Sequence, residues 1–265
     1  MQNDKDCYTE YSKQKYFDFA LLSVIGDRDE QQDSSGYELG EDQALIVICD
    51  GMGGHQGGKR ASSSAVAGIL EEYHKKSPDS DVREVILNAI CDADDKISSF
   101  KDEDGQPILS GTTAVAVYLK ERELSWFSVG DSRIYLHRGS ELVRATTDHN
   151  YALLLNERLA EGSIDRQEYE QEMARGEMLI SFLGVNGIER LDTNESPLQL
   201  RKDDCILLTT DGLYKLVSEK DINGILSNFS NVNDMAQALQ LKAQRQSKKT
   251  GKSSDNITFA IIKVK

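Results

Sequence analysis

Between residues 112 and 146 four strand-like segments follow one another, near 112–119, 123–129, 133–138 and 141–146, with only a few residues between them. Links that short cannot carry a crossover to a parallel neighbour, so the four segments are expected to pair antiparallel, as a meander. Arg138-Gly139-Ser140 reads as the turn of one hairpin. On either side of this block the periodicity changes. Phe17, Phe19 and Leu21 alternate in a strand at about 17–25, whereas residues 44–49 (ALIVIC) form a continuous apolar run, the mark of a strand covered on both faces. Residues 205–210 (CILLTT) repeat that pattern, and 257–264 read as a last strand. Helical spacing governs about 57–75, where Ala61, Ala65, Ile69 and Tyr73 recur every four residues. It also governs about 81–99, where Val82, Val85, Ile86, Ala89, Ile90, Ala93 and Ile97 make one stripe. Further helices are expected at 218–228 and 233–246, with the Lys- and Ser-rich patch at 247–254 as a loop. Residues 150–180 read as helical and strongly charged without a sustained apolar face, which suggests a surface lid or flap. Antiparallel strands mixed with pairs of helices predict an α/β layered sandwich. A length of 265 residues, no internal repeat and no Pro- or Gly-rich linker fit one domain.

Aspartates recur where these strands end. Asp50 directly follows ALIVIC and Asp211 directly follows CILLTT. Asp131 comes after the strand containing Trp126, with Gly130 between; Asp255 precedes the last strand, and Asp33 lies a few residues beyond the first. The ends of layered strands bring residues distant in sequence to one edge, and carboxylates gathered there make an oxygen-rich site for a hard cation. Mg²⁺ or Mn²⁺ suits such a site better than Zn²⁺, because only four His are present and none has a second His at ligand spacing. Singly, Asp-Gly at 50–51 and 211–212 are ordinary turns, and Asp131 and Asp255 ordinary turn or cap residues. The combination carries the reading.

Composition narrows the alternatives. Asp and Glu total 45 against 31 Lys and Arg, a formal charge of −14, which disfavours a nucleic-acid partner. Most of that excess is expected to be a solvated surface. Cysteines at 7, 49, 91 and 205 form neither a zinc spacing nor a disulfide framework, and Cys49 and Cys205 fall in apolar runs that predict buried thiols. The N-terminal MQNDKDCYTEYSKQ lacks an apolar signal core and no stretch has the length of a membrane span, so a cytoplasmic location without a membrane partner is expected. Gly53 to Lys59 formally matches a phosphate-cradling loop, but Arg60 stands where Ser or Thr would ligate Mg²⁺, and a hairpin meander does not suit an NTPase sheet. Asp102-Glu103-Asp104-Gly105 hints at a calcium loop, yet Phe100 and Gly111 occupy its first and last ligand positions.

Eight ordered blocks resemble the PPM family, the protein phosphatase 2C type of Ser/Thr phosphatases, in its bacterial form. They are Gly26-Asp27-Arg28 with Gln31-Gln32-Asp33, and Val47-Ile48-Cys49-Asp50-Gly51-Met52-Gly53-Gly54-His55. Gly111-Thr112-Thr113, Val129-Gly130-Asp131-Ser132-Arg133 and Thr147-Asp148-His149 follow. Leu183-Gly184, Leu208-Thr209-Thr210-Asp211-Gly212-Leu213 and Ser254-Asp255-Asn256-Ile257-Thr258 complete the set, which spans residues 17–264. The resemblance implies a four-layer sandwich, two central antiparallel β-sheets flanked by pairs of helices. It implies that Asp50 bridges two Mg²⁺ or Mn²⁺ ions, that Asp211 and Asp255 complete the first and that the Gly51 carbonyl helps hold the second. Asp131 with Asp211 would match a third-metal site. Attack on phosphorus by a metal-bridging hydroxide follows, with Asp33 orienting or deprotonating the water and Arg28 holding the phosphoryl oxygens.

The partners implied are phosphorylated proteins, a Ser/Thr kinase and its targets among them, met by a monomeric enzyme. Three departures stand out: Gln31 in place of the usual Asn, Gln32 in place of a frequent acidic residue, and Met52 where eukaryotic members carry a histidine proposed as general acid. His55 does not align with that histidine and is expected in a loop or core role, and no side chain is assigned as donor to the leaving group. For Arg28 the plain alternative is a surface ion pair with Asp27 or Asp29; for 150–180, which correspond to the family's flap, it is an inert exposed helical pair. For the whole chain the alternative is a catalytically inactive family member serving as a binding or regulatory module.

Overall fold

Alternate residues of the run at 43–49 serve two different cores. Leu45, Val47 and Cys49 pack toward Ala61, Ala65, Ile69 and Ile90 on helices, whereas Ala44, Ile46 and Ile48 pack toward Phe17, Phe19, Ile206 and Leu208 on strands. That is why this strand reads as unbroken apolar sequence: the pleat sends successive side chains to opposite faces, and both faces are covered. The run at 205–209 does the same from the other side, with Ile206 and Leu208 in the central core and Cys205 and Leu207 against a second helical layer.

The computed structural model describes residues 7–53, 57–251 and 253–265; the expectations for His55 and for the first six residues lie outside them. The chain begins β1 (Cys7–Lys13), β2 (Phe17–Val24), β3 (Ser34–Leu39), β4 (Gln43–Cys49) and β5 (Gly51–Met52), then α1 (Gly57–Lys75) and α2 (Val82–Ser98). β6 (Gly111–Thr112), β7 (Ala114–Lys120), β8 (Glu123–Val129), β9 (Arg133–Arg138) and β10 (Glu141–Arg144) lead to α3 (Tyr151–Ala160) and α4 (Arg166–Glu172). β11 (Asp192–Thr193), β12 (Leu198–Gln199), β13 (Cys205–Thr209), α5 (Asp211–Tyr214), α6 (Glu219–Asn228), α7 (Val232–Thr250) and β14 (Ile257–Val264) complete it.

One antiparallel sheet has the order β1-β2-β14-β13-β9-β10 and the other β11-β8-β7-β4-β3, with β12 also on β8. Their facing sides bury the central cluster, α1 and α2 cover one outer face, and α6 and α7 cover the other. The four-layer sandwich is thus as expected, and Cys49 and Cys205 are buried free thiols. Among the described residues no helix is long and apolar enough to cross a membrane.

The meander is corrected. β7 pairs β8 and β9 pairs β10, but β8 lies in one sheet and β9 in the other. A short link forces a hairpin only where both strands share a sheet; at the end of a sandwich the same three residues can step across the core. Gly130 makes the step at φ 101°, where a Cβ would stand 2.6 Å from Thr113 Cγ2. Asp131 rides on this crossing. The loop expected at 247–254 is also corrected: α7 continues to Thr250, with Lys248 and Lys249 at its carbonyl end and Gly251 closing it in the left-handed conformation. Residues 150–180 are helical and largely exposed, with Leu155 the one buried residue of α3 and none in α4.

Candidate metal centre

The five strand-end aspartates meet at one end of the sandwich. Asp50 leaves β4 with its backbone fixed: its N–H donates to Thr113 Oγ1 at 3.0 Å, and its carbonyl accepts from Thr113 N at 2.9 Å and Thr112 Oγ1 at 2.8 Å. Thr113 Oγ1 also lies 2.7 Å from Ser132 Oγ, which ties this turn to the crossing that carries Asp131. On the other sheet, Thr210 N donates to the Thr258 carbonyl at 3.0 Å, so Asp211 and Asp255 flank adjoining ends of β13 and β14.

Asp33 is 2% exposed, and Thr210 Oγ1 donates to its Oδ2 at 3.0 Å. Thr210 is the N-cap of α5 but makes no side-chain cap bond, because its hydroxyl faces Asp33 instead. Asp33 Oδ1 is buried with no hydrogen-bond partner.

The electrostatics follow from this crowding. Burial pushes the Asp33 carboxyl up to about 7; the Thr258 and Thr210 hydroxyls oppose the rise, and Asp211 and Asp255 add to it. Asp50 is raised well above the carboxylate range by desolvation and then by Asp33, Asp211, Asp131 and Asp255. Asp131, 8% exposed, is raised to about 6 by burial and then by Asp211, with Lys215 pulling the other way. Buried like charges with oxygen-only donors are costly unless a cation sits among them. Two of the five carboxylates already face a cation of the chain: Arg28 Nη2 lies 2.6 Å from Asp255 Oδ2, and Lys215 Nζ 2.8 Å from Asp211 Oδ2. With those side chains so turned, no three acidic, His or Cys groups among the described residues already stand ready to hold one metal ion. The donor chemistry, the orphaned Asp33 oxygen and the mutual repulsion nonetheless fit a hard divalent cation.

Gly51 fits the same site sterically. A Cβ there would stand 2.2 Å from the Gly58 carbonyl oxygen and 2.6 Å from that of Gln32, so only glycine lets this turn close against α1. Arg28, Asp50, Gly51, Met52, Asp211 and Asp255 line one cleft. Arg28 pairs with Asp255 and not, as its plain alternative had it, with Asp27 or Asp29; Asp27 instead accepts from Ser254 N at 2.7 Å. Gln31 works as a brace in its turn: its Nε2 donates to Ser23 Oγ at 2.9 Å and its Oε1 accepts from Asp33 N at 3.1 Å. Lys59 is no phosphate ligand, since its Nζ donates to the Asp33 carbonyl at 3.0 Å.

Nothing in the sequence signals Asp94 or the bracing role of Asn256. Asn256 gathers the 25–32 loop, accepting from Gln32 N at 2.8 Å and donating to the carbonyls of Ile25 at 2.8 Å and Glu30 at 3.0 Å. Asp94 on α2 is 2% exposed and accepts from four successive backbone N–H groups, Gly184 at 2.6 Å, Val185 at 2.9 Å, Asn186 at 3.3 Å and Gly187 at 2.7 Å. Leu183 in turn bridges to Thr112, which holds the Asp50 carbonyl. Asp94→Ala strands these donors and is expected to cost about 3 kcal/mol. Thermal melts would read that as a fall in Tm of about 6–12 °C.

The family model for protein phosphatase 2C matches residues 10–158, more than half of the chain. The chain belongs to the protein phosphatase 2C family. It is 28% identical over 239 residues to the serine/threonine phosphatase stp of Listeria welshimeri, covering 89% of this chain and 90% of that protein. The solved serine/threonine phosphatase of S. agalactiae superposes with a TM-score of 0.78 at 27% identity, covering 97% of this chain and 100% of that one. A PstP catalytic domain solved in complex with 2 manganese ions superposes with a TM-score of 0.72 at 26% identity, covering 94% and 98% of the two chains. As a member of this family the chain is a metal-dependent Ser/Thr protein phosphatase, and phosphoproteins are its class of substrate.

Proposed function

We propose that Asp50, Asp211, Asp255 and the Gly51 carbonyl hold two Mg²⁺ or Mn²⁺ ions and that phosphoserine and phosphothreonine esters of proteins are hydrolysed in the cleft they line. The observation that carries this is the grouping of four strand-end carboxylates around Asp50, which together with burial raise it, beside a buried carboxylate oxygen with no protein donor. When bound, the ions supply Lewis-acid activation of water at neutral pH and charge neutralisation on the phosphoryl group.

The chain's own residues do the rest. Asp33 is the proton acceptor: Thr210 locks Oδ2, and Oδ1, which has no hydrogen-bond partner in the protein, is left for the attacking water. Arg28 stands at the rim with an exposed guanidinium beside Asp255, suited to a forked hold on phosphoryl oxygens. Met52 lines the cleft and cannot give a proton to the leaving group. Residues 150–180 act as a flap within a single catalytic domain, and a Ser/Thr kinase and its targets are the partner class. Metal-loaded protein should turn over p-nitrophenyl phosphate and a phosphothreonine peptide; turnover of neither would overturn the reading.

Asp33 also gives a finer test. Thr210→Val removes a hydroxyl that favours its charged form, so the acid limb of the kcat/KM profile should move to higher pH. The expected loss is about 3–10-fold at pH 6 and smaller at pH 8.

A further inference from the structure

The Lys215 ammonium lies between two elements of different origin. Its Nζ is 2.8 Å from Asp211 Oδ2 in the cleft and 3.2 Å from Glu177 Oε2, just past the flap helices. An exposed pair four residues apart on a helix is ordinarily a weak surface contact. Here the acidic partner is one of the crowded carboxylates, its side chain only 17% exposed. The backbone that delivers Lys215 is pinned as well. Tyr214 donates its hydroxyl to the Asp131 carbonyl at 3.0 Å, and its ring lies under the Arg133 guanidinium at 3.6 Å. Arg133 is itself forked onto Asp148 at 2.9 and 2.7 Å. So one short segment, Tyr214-Lys215, grips the backbone of Asp131 and the carboxylate of Asp211 together.

We propose that Lys215 is the built-in cation of the Asp131–Asp211 pair, so that this chain takes up two divalent ions and leaves no affinity for a third at that pair. This rests on the reading of Asp50, Asp211 and Asp255 as ligands of the first two. The physical reason is charge. Asp131 and Asp211 repel each other, which favours a cation beside them; the Lys215 ammonium, four residues from Asp211, is already held on the Asp211 carboxylate at high effective concentration. A hydrated divalent ion would have to displace it against like-charge repulsion and break its contact with Glu177. Asp50 and Asp255 have no lysine contact of this kind among the described residues, and Arg28, which faces Asp255, is exposed and has the phosphoryl group as an alternative partner.

The test counts ions. Metal-stripped full-length protein is titrated with Mn²⁺ at pH 7.5, and bound Mn²⁺ per chain is read from the loss of the free-ion electron paramagnetic resonance signal. Wild type should saturate at two ions and stay there to about 1 mM free Mn²⁺. Lys215→Met and Lys215→Gln should bind a third, with affinity at least tenfold above any wild-type residual, while Lys215→Arg should remain at two. Three ions on the wild type, or two on both neutral variants, would overturn the proposal while leaving the metal centre intact. No bound ion on the wild type would overturn the reading of the centre itself. Lys215 is 41% exposed, so its neutral variants are expected to fold, and near-ultraviolet circular dichroism checks that they do.

Discussion

Asp50→Asn is expected to abolish phosphatase activity, by about 10³-fold or more in kcat, while making the metal-free protein more stable than the wild type. Both effects come from the same charge. Removing a ligand shared by the two proposed ions forfeits several kcal/mol of transition-state stabilisation. In the metal-free chain, however, the Asp50 carboxylate is desolvated and faces Asp33, Asp211, Asp131 and Asp255, so the neutral amide relieves repulsion. Its backbone bonds to Thr112 and Thr113 do not involve the side chain and survive the change. A gain of about 1–2 kcal/mol, the usual scale when a functional site is relaxed, would raise Tm by a few degrees. Added Mn²⁺ should stabilise the wild type and barely affect the variant. Retained turnover, or a variant less stable than wild type in chelator, would contradict the arrangement.

The second large effect is a reversal of pH dependence by metal. Asp33 and Asp131 are raised in the folded chain to about 7 and about 6, from ordinary values near 3.8. An acid whose folded pKa is raised contributes stability that is complete below its unfolded pKa and is lost as pH rises through the folded one. The metal-free protein should therefore lose stability between pH 4 and pH 7.5. Asp33 alone accounts for about 2–3 kcal/mol of the fall between pH 5 and pH 7, at 1.36 kcal/mol per unit. Divalent ions bind the charged carboxylates, so their stabilisation grows with pH; at 100 times Kd it is about 2.7 kcal/mol. Differential scanning fluorimetry with chelator should show Tm falling from pH 5 to pH 8. With saturating Mg²⁺ or Mn²⁺ that fall should shrink or vanish. Parallel curves with and without metal would mean that these carboxylates are not where the ions bind.

How much of this was legible in sequence depended on which residues face two covered layers. β4 and β13 stood out because both faces are buried, and the aspartates at their ends marked the site directly. β1 was missed because it is an edge strand with no buried residue from Tyr8 to Lys13: Tyr8 and Tyr11 are exposed, and a polar strand without a dry face leaves no apolar periodicity to read. The β8–β9 step between sheets was misread because link length alone cannot distinguish a hairpin from a crossing at the end of a sandwich. Of the site, the charged groups were readable and their supports were not. Asp94 works through four backbone N–H groups of a loop 90 residues away, and Thr210 by turning from its own helix toward Asp33. Neither leaves a spacing in the sequence, since both depend on contacts that exist only once the sheets have stacked. Lys215 carried no signal either, because a lysine four residues after an aspartate is an ordinary helical pair until Glu177 is found on its other side.

The central claim, that the gathered aspartates make a metal-dependent phosphoprotein phosphatase, is tested most directly by phosphate release from a phosphothreonine peptide. Protein stripped with chelator should release none. Adding back Mn²⁺ should restore turnover in the wild type and not in Asp50→Asn or Asp211→Asn. Turnover that survives chelation, or equal turnover in the aspartate variants, would contradict the account.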